Sequence, residues 1–203
     1  MSQIALPLSH KSAQDPDRIV VGNANARTIE AMRVPQTWPF KTAILSGESR
    51  SGKSMIGRWF ASMDAGEVID GADALDETDL FHRWNKAQEN GMPLLLVNDA
   101  DGWDIELPDL ASRLGAALHL EIGVPDDAMA ADLIENIAAQ YGLALGEGAL
   151  TYLVPRAERS FAAIELLVKV IDRLSMERKA PATLGIWRDA LEAVQGPEQA
   201  KLL

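Results

Sequence analysis

Eight consecutive residues, Gly47-Glu48-Ser49-Arg50-Ser51-Gly52-Lys53-Ser54, carry the clearest chemistry in the chain. They match the pattern G-x-x-x-x-G-K-[S/T] at every fixed position. In such a loop the backbone N–H groups converge on phosphate oxygens, and the N-terminus of the next helix adds a favourable dipole. Gly47 and Gly52 permit close backbone approach and positive φ. The Lys53 ammonium would reach the β- and γ-phosphates, and the Ser54 hydroxyl would sit on Mg²⁺. The pattern fixes a nucleotide phosphate as the ligand and leaves the reaction open.

A phosphate loop needs a second acid on a neighbouring strand to hold the metal through water. Two strands end in acids. Asp70 closes Glu67–Asp70, and Asp99 follows the apolar run Leu94–Asn98. Spacing alone favours Asp99, because its strand is the more apolar and should be central.

The elements that must position these groups follow from periodicity. Ala43-Ile44-Leu45 predicts a short buried strand before the loop, and Met55, Ile56, Trp59 and Phe60 predict a helix from Lys53 to about Ser62. Upstream, Arg18–Asn23 reads as a short strand and turn, followed by a helix over 26–32 and a loop at Trp38-Pro39-Phe40. Downstream, Asp76-Glu77 signals a helix start. The helix over 77–89 places Leu80, Phe81, Trp84 and Ala87 on one face. Pro93–Val97 predicts a central parallel strand, Pro108–Leu114 a short helix, and Leu118–Ile122 a last strand. Beyond Pro125 only helices are expected, at about 126–141, 146–154, 160–177 and 186–193. The implied division is a flexible arm over 1–16, an α/β base over 17–124 and a helical lid over 125–203.

Composition narrows the function classes. The 203 residues are 47% hydrophobic, enough for a core, and no run of 18 apolar residues predicts a membrane span. Residues 1–8 lack the features of a signal peptide. There is no cysteine, so disulfides and thiolate metal sites are excluded, and His10, His82 and His119 lack ligand spacing. These features fit the cytoplasm. The formal charge is −11, from 30 acids against 19 bases, with no basic run. Direct nucleic-acid binding needs clustered Lys and Arg, so a protein partner is the better expectation. A Ser/His/Asp triad has no support, since no serine stands in a nucleophile setting.

A strand ending in Asn98, a loop, and then Leu107-Pro108-Asp109-Leu110-Ala111-Ser112-Arg113-Leu114 is very similar to the Hda proteins. These are DnaA-related AAA+ proteins without DnaA's DNA-binding domain. The resemblance runs from Gln3 to about Leu191, and LPDLASRL is its specific part. It implies an AAA+ module, a parallel α/β sandwich with a helical lid. It places Asn98 as the sensor 1 residue and Arg113 as the box VII arginine, an arginine finger toward a neighbouring subunit's nucleotide. Arg159 resembles the sensor 2 arginine, whose Coulomb attraction to phosphate would couple lid position to nucleotide state. Ile19–Asn23, with Val20, Val21 and Gly22, resembles the adenine-pocket segment.

The same resemblance moves the Walker B acid to Asp70, and Mg²⁺ to Ser54 and Asp70. The chain departs from the pattern twice. Gly71 stands where a second acid usually polarises water. The short gap between the loop helix and Asp70 has no room for one strand and helix of the family's 5-1-4-3-2 sheet. The missing strand would be an edge strand, so the central ladder survives. Both departures put the chain's own ATP hydrolysis in doubt.

Gln3-Ile4-Ala5-Leu6-Pro7-Leu8 looks like the Q-[L/I]-x-L-P-L motif that docks on the sliding clamp of DNA polymerase III. An extended peptide can seat Leu6 and Leu8 in apolar pockets and bond through its Gln3 amide, Ile4 belongs to the same docking set, and Pro7 lowers the entropy lost on binding. The resemblance thus implies a clamp-recruited negative regulator of replication initiation that stimulates ATP hydrolysis by DnaA. It would carry ADP or ATP with Mg²⁺ and be an activator more than an enzyme, with homo-oligomers left open. An independent ATPase or kinase, and a helicase-loader-like adaptor, are the alternatives.

Overall fold

The structure, a computed structural model, describes residues 19–99 and 103–196. Four parallel strands form one sheet in the order β2-β3-β1-β4: β1 (Thr42–Gly47), β2 (Glu67–Asp70), β3 (Leu94–Val97) and β4 (Leu118–Ile122). The register pairs Ala43 with both Leu95 and Leu118, and Ile69 with Leu96. Read from the other edge, this is the expected 5-1-4-3-2 sheet without its outermost strand.

All four residues of β3 are fully buried, as an apolar run covered on both faces should be. Burying each leucine there contributes roughly 1.5–3 kcal/mol. Alternation sends Leu95 and Val97 to one side, where they meet α1 (Ala26–Met32) and α2 (Lys53–Ser62) through Met32, Ile56 and Phe60. Trp38 stacks on Phe60 with ring centroids 5.3 Å apart. Leu94 and Leu96 face α3 (Glu77–Glu89) and α4 (Pro108–Gly115) through Leu80, Trp84, Leu110 and Leu114. The Trp84 indole N–H donates to the Thr42 hydroxyl at 3.1 Å, which satisfies a buried polar pair across that layer.

The helical C-terminal part has its own core. The helices α5 (Asp127–Tyr141), α6 (Ala149–Leu153), α7 (Phe161–Arg178) and α8 (Leu184–Gln195) pack around Ile134, Leu153, Ile164, Val168 and Trp187. Side-chain caps set the starts of α5 and α7. The Asp126 carboxylate accepts from the Met129 N–H at 2.9 Å, and the Ser160 hydroxyl from the Ala163 N–H at 3.1 Å. Met129 and Phe161 are the points where this part packs into the sheet's α1/α2 side.

Two local expectations are corrected. Residues 19–23 form no strand. The Asn25 side chain takes their polar groups instead, accepting from the Gly22 N–H at 3.0 Å and donating to the Val20 carbonyl at 2.8 Å. Pro39–Lys41 is a short 3₁₀ turn where a plain loop was expected at Trp38-Pro39-Phe40, and a second such turn, Pro35–Thr37, precedes it. The clamp-like residues Gln3, Ile4, Leu6, Pro7 and Leu8 lie outside the described residues, as does the whole arm over 1–16. No described helix is long and apolar enough to cross a membrane.

Candidate phosphate-binding site

The loop over 47–54 joins the C-terminal end of β1 to the first turn of α2. Its glycines are required where they stand. Gly47 has φ +148°, and a Cβ there would lie 3.0 Å from both the Cβ and the carbonyl oxygen of Ile122. Gly52 has φ +91° and caps α2 in the left-handed region. Arg50 also sits at positive φ, 64°, a conformation that costs a non-glycine residue about 1 kcal/mol. Lys53 is buried with its side chain only 3% exposed. Its ammonium donates to the carbonyls of Gly47 at 2.8 Å and Glu48 at 2.9 Å, and lies 3.1 Å from an Asp99 oxygen. These contacts hold the loop curled around the lysine and point its cation into the bend. Glu48 and Ser49 are exposed on the outside of that bend.

The Ser54 hydroxyl donates to Asp70 at 3.1 Å across the gap between α2 and β2. A hydroxyl and a carboxylate at that separation form a hard, all-oxygen donor pair, which suits Mg²⁺ with several waters. The fit is to a metal shared with a ligand, since no cluster of three His, Cys, Asp or Glu side chains stands ready for a metal among the described residues. Gly71, directly after Asp70, turns the chain with φ +67°. A side chain at that position would leave the strand in a left-handed turn, which disfavours any residue but glycine.

Among the described residues four buried side-chain polar atoms lack a hydrogen-bond partner: Ser51 Oγ, Asn98 Oδ1, Arg159 Nη1 and Trp187 Nε1. The first lies in the phosphate loop and the second at the end of β3. Buried polar groups are normally paired, so unpaired ones mark places where a ligand or water belongs. Asn98 is buried, and its N–H continues the ladder to the Leu45 carbonyl at 2.9 Å. That fixes the side chain beside the loop. Asp99, one residue on, faces Lys53, so both acids that the spacing offered reach the loop: Asp70 through Ser54 and Asp99 through Lys53.

A cleft of about 400 Å³ opens beside the loop. Arg50, Ser51, Gly52, Lys53 and Ser54 form its polar end. Ile19, Val20, Leu133, Ile137 and Phe161 form its apolar end, which matches the apolar body and charged tail of a nucleotide. Of the segment expected at the base pocket, Val20 lines the cleft. Val21 is half exposed outside it, and Gly22 packs against Met129, where a Cβ would lie within 2.8 Å of that side chain. Arg159 does not line the cleft. Its guanidinium pairs with Asp127 at 2.6 Å, at the start of α5. Arg113 lies apart from the loop, over the rings of Trp84 at 4.5 Å and Phe81 at 5.0 Å. Cation–π contact of this kind holds a guanidinium in place without neutralising it.

The cleft also contains residues that sequence patterns did not single out. Leu133, Asn136, Ile137, Gln140 and Tyr141 form one row on α5, at the i, i+3, i+4 spacing of a single helix face. The signal was present as a second, mixed apolar and amide face on a helix whose other face fills the C-terminal core. Glu165 on α7 was also missed. It accepts two hydrogen bonds of 2.6 Å from Arg50. The Arg50 guanidinium holds this carboxyl below the usual carboxylate range against the opposing effect of burial, and Lys169 adds to the lowering. The Arg50 pKa is raised in turn, chiefly by the Glu165 hydrogen bonds.

No protein-family profile matches the sequence, and no curated protein matches it significantly. The fold is nonetheless well represented among solved structures. Domain III of the Thermotoga maritima replication initiation protein DnaA superposes with a TM-score of 0.73 at 12% identity, covering 92% of this chain and 98% of that one. DnaA from Aquifex aeolicus bound to AMPPCP gives 0.61 at 17% identity, covering 84% and 70%. The Thermotoga maritima RuvB Holliday junction branch migration motor gives 0.64 at 15%, covering 91% and 76%. The chain therefore has a DnaA-like AAA+ fold.

Proposed function

We propose that the chain binds an adenine nucleotide, ADP or ATP, in the cleft beside Lys53 and acts as a regulator of a partner's ATPase rather than as an efficient ATPase itself. The observation that carries this reading is the contrast within one site. The phosphate loop, Lys53 and the Ser54–Asp70 pair are assembled, yet the position after Asp70 is a glycine in a left-handed turn. Binding has its donors, whereas water activation lacks its usual acid.

The roles in this reading draw on placement and on the family resemblance. Backbone N–H groups of residues 50–54 and the dipole of α2 would hold the phosphates, with Lys53 shared between them and the loop carbonyls. Ser54 and Asp70 would hold Mg²⁺, which neutralises phosphate charge when bound. Asn98 Oδ1, an unpaired buried acceptor at the end of β3, would be suited to orienting water. Arg159 would need to leave Asp127 to reach a phosphate. Arg113 is remote from this chain's own cleft and anchored on two rings, as an arginine supplied to a neighbouring subunit's nucleotide would be.

The finer reading is that of an Hda-like regulator. Residues 3–8 would dock on the sliding clamp, and the AAA+ face would engage ATP-bound DnaA and promote its hydrolysis, with the nucleotide on this side being ADP. The resemblance of LPDLASRL and of the N-terminal hexapeptide supports it, and so does the likeness of the fold to DnaA domain III. The test is clamp pull-down followed by DnaA-ATP turnover with and without the protein. Stimulation should vanish on deletion of residues 3–8 and in Arg113→Ala. Unchanged stimulation in both variants would remove the clamp-dependent mechanism and the finger role together.

A further inference from the structure

We propose that Arg50 and Glu165 form a latch that holds α7 against the phosphate loop and sets the rate at which bound nucleotide leaves the cleft. The proposal rests on the nucleotide reading above. Between described residues, this is the one ion pair that joins the sheet-bearing part to the C-terminal helices. The others lie within one part or the other. It links positions 115 residues apart in sequence, and both partners line the same cleft.

Its geometry is the fork-to-fork arrangement. Arg50 Nε donates to one Glu165 oxygen and a terminal nitrogen donates to the other, each at 2.6 Å. Two parallel charge-assisted bonds fix orientation as well as distance, which a lysine would not do. The backbone supports the same conclusion. Arg50 is held at positive φ, where glycine would sit without strain. Strain of that kind persists where the surrounding contacts over-determine it. The side chain that this residue brings is the one that reaches across the cleft mouth.

Apolar packing and side-chain hydrogen bonds hold the rest of the junction. Met129 and Phe161 bury themselves in the sheet's α1/α2 side. The Asn23 side chain donates to the Val124 carbonyl at 3.0 Å and accepts from the Asp126 N–H at 3.0 Å, which pins the connecting segment. A junction anchored by buried packing and fastened at the cleft by a breakable ion pair is the arrangement of a closing part. The Arg50 side chain is 55% exposed, so the pair is accessible to salt and can open without unpacking a core.

The test is stopped-flow release of mant-ADP, chased by excess ADP, from the full chain. Glu165→Gln keeps the shape and removes the charge. Release should speed up roughly three- to tenfold at low salt, the range expected for one partly exposed bidentate pair. The gap should close near 0.5 M KCl, because wild-type release rises with salt and the variant's does not. Lys169→Ala removes the other cation on Glu165 and should leave release at the wild-type rate. Release from Glu165→Gln at the wild-type rate would overturn the latch, as would equal acceleration in Lys169→Ala. Wild-type protein that binds no mant-ADP would overturn the nucleotide reading and the latch with it. Binding with unaltered release overturns the latch alone.

Discussion

Replacing Lys53 by Met separates the loop's role in folding from its role in binding. The ammonium is buried, and it donates to the Gly47 and Glu48 carbonyls at 2.8 and 2.9 Å. Methionine fills nearly the same volume and donates nothing. Two opposing effects then act on stability. The loop loses charge-assisted hydrogen bonds of about 1.5 kcal/mol or more each. At the same time a buried ammonium no longer has to be stripped of water, which costs several kcal/mol. The net change in unfolding free energy should therefore stay within about 2 kcal/mol, and the melting transition should remain cooperative. Affinity has no such offset, because the phosphate loses its cation outright. A charge-assisted bond of about 1.5–3 kcal/mol corresponds to a rise in Kd of roughly 10- to 150-fold. Isothermal titration with ADP and Mg²⁺, alongside thermal melts of the same samples, reads both quantities. A folded Lys53→Met protein that binds ADP within about twofold of wild type would refute the placement of phosphates at this loop.

Ser54→Ala and Asp70→Asn should each remove most of the Mg²⁺ dependence of nucleotide affinity while leaving weaker, metal-free binding, since they delete one side of the 3.1 Å oxygen pair. Titration with ADP in Mg²⁺ and in EDTA checks this. Gly66→Ala should destabilise the fold by roughly 1–3 kcal/mol, read by urea unfolding, because a Cβ there would lie 2.3 Å from the Pro93 carbonyl oxygen. The Glu165 carboxyl is held below its ordinary pKa by Arg50. Its contribution is thus present above the unfolded value of about 4.3 and is lost as pH falls through the lower folded value. Glu165→Gln should be less stable than wild type by about 1 kcal/mol or less at pH 7 and at pH 5, with the difference shrinking once pH falls below about 4.3 and vanishing only below the lower folded value. Melts across that range decide it.

The sheet was legible because its signals are local. A glycine-bounded loop between an apolar run and a helical pattern has few other readings, and Leu94–Val97 is too uniformly apolar to be anything but central. Even the absent strand could be inferred, because too few residues separate Ser62 from Glu67 to build one. Most of what was not legible has two causes, a nearby side chain that competes for the backbone and partners distant in sequence. Residues 19–23 carry strand-like side chains, but Asn25 offers their backbone a nearer set of hydrogen bonds. Arg159 was expected to face phosphate, and its pairing with Asp127 was not announced by any local pattern. Arg50 was read as one member of a phosphate-binding motif, and nothing local announces that its partner is Glu165. The cleft face of α5 was hidden by the stronger apolar face that fills the helical core.

The carboxylate beside Ser54 stands on β2, the outermost strand of the sheet. A rim of this kind exposes backbone groups on which other chains can assemble, and proteins guard against fibre growth there by keeping such strands short or ending them abruptly. This one has only four residues and runs straight into the left-handed turn at Gly71. So short a rim offers little template for stacking copies, and Asp70 sits at the boundary of the molecule without a long open edge beside it.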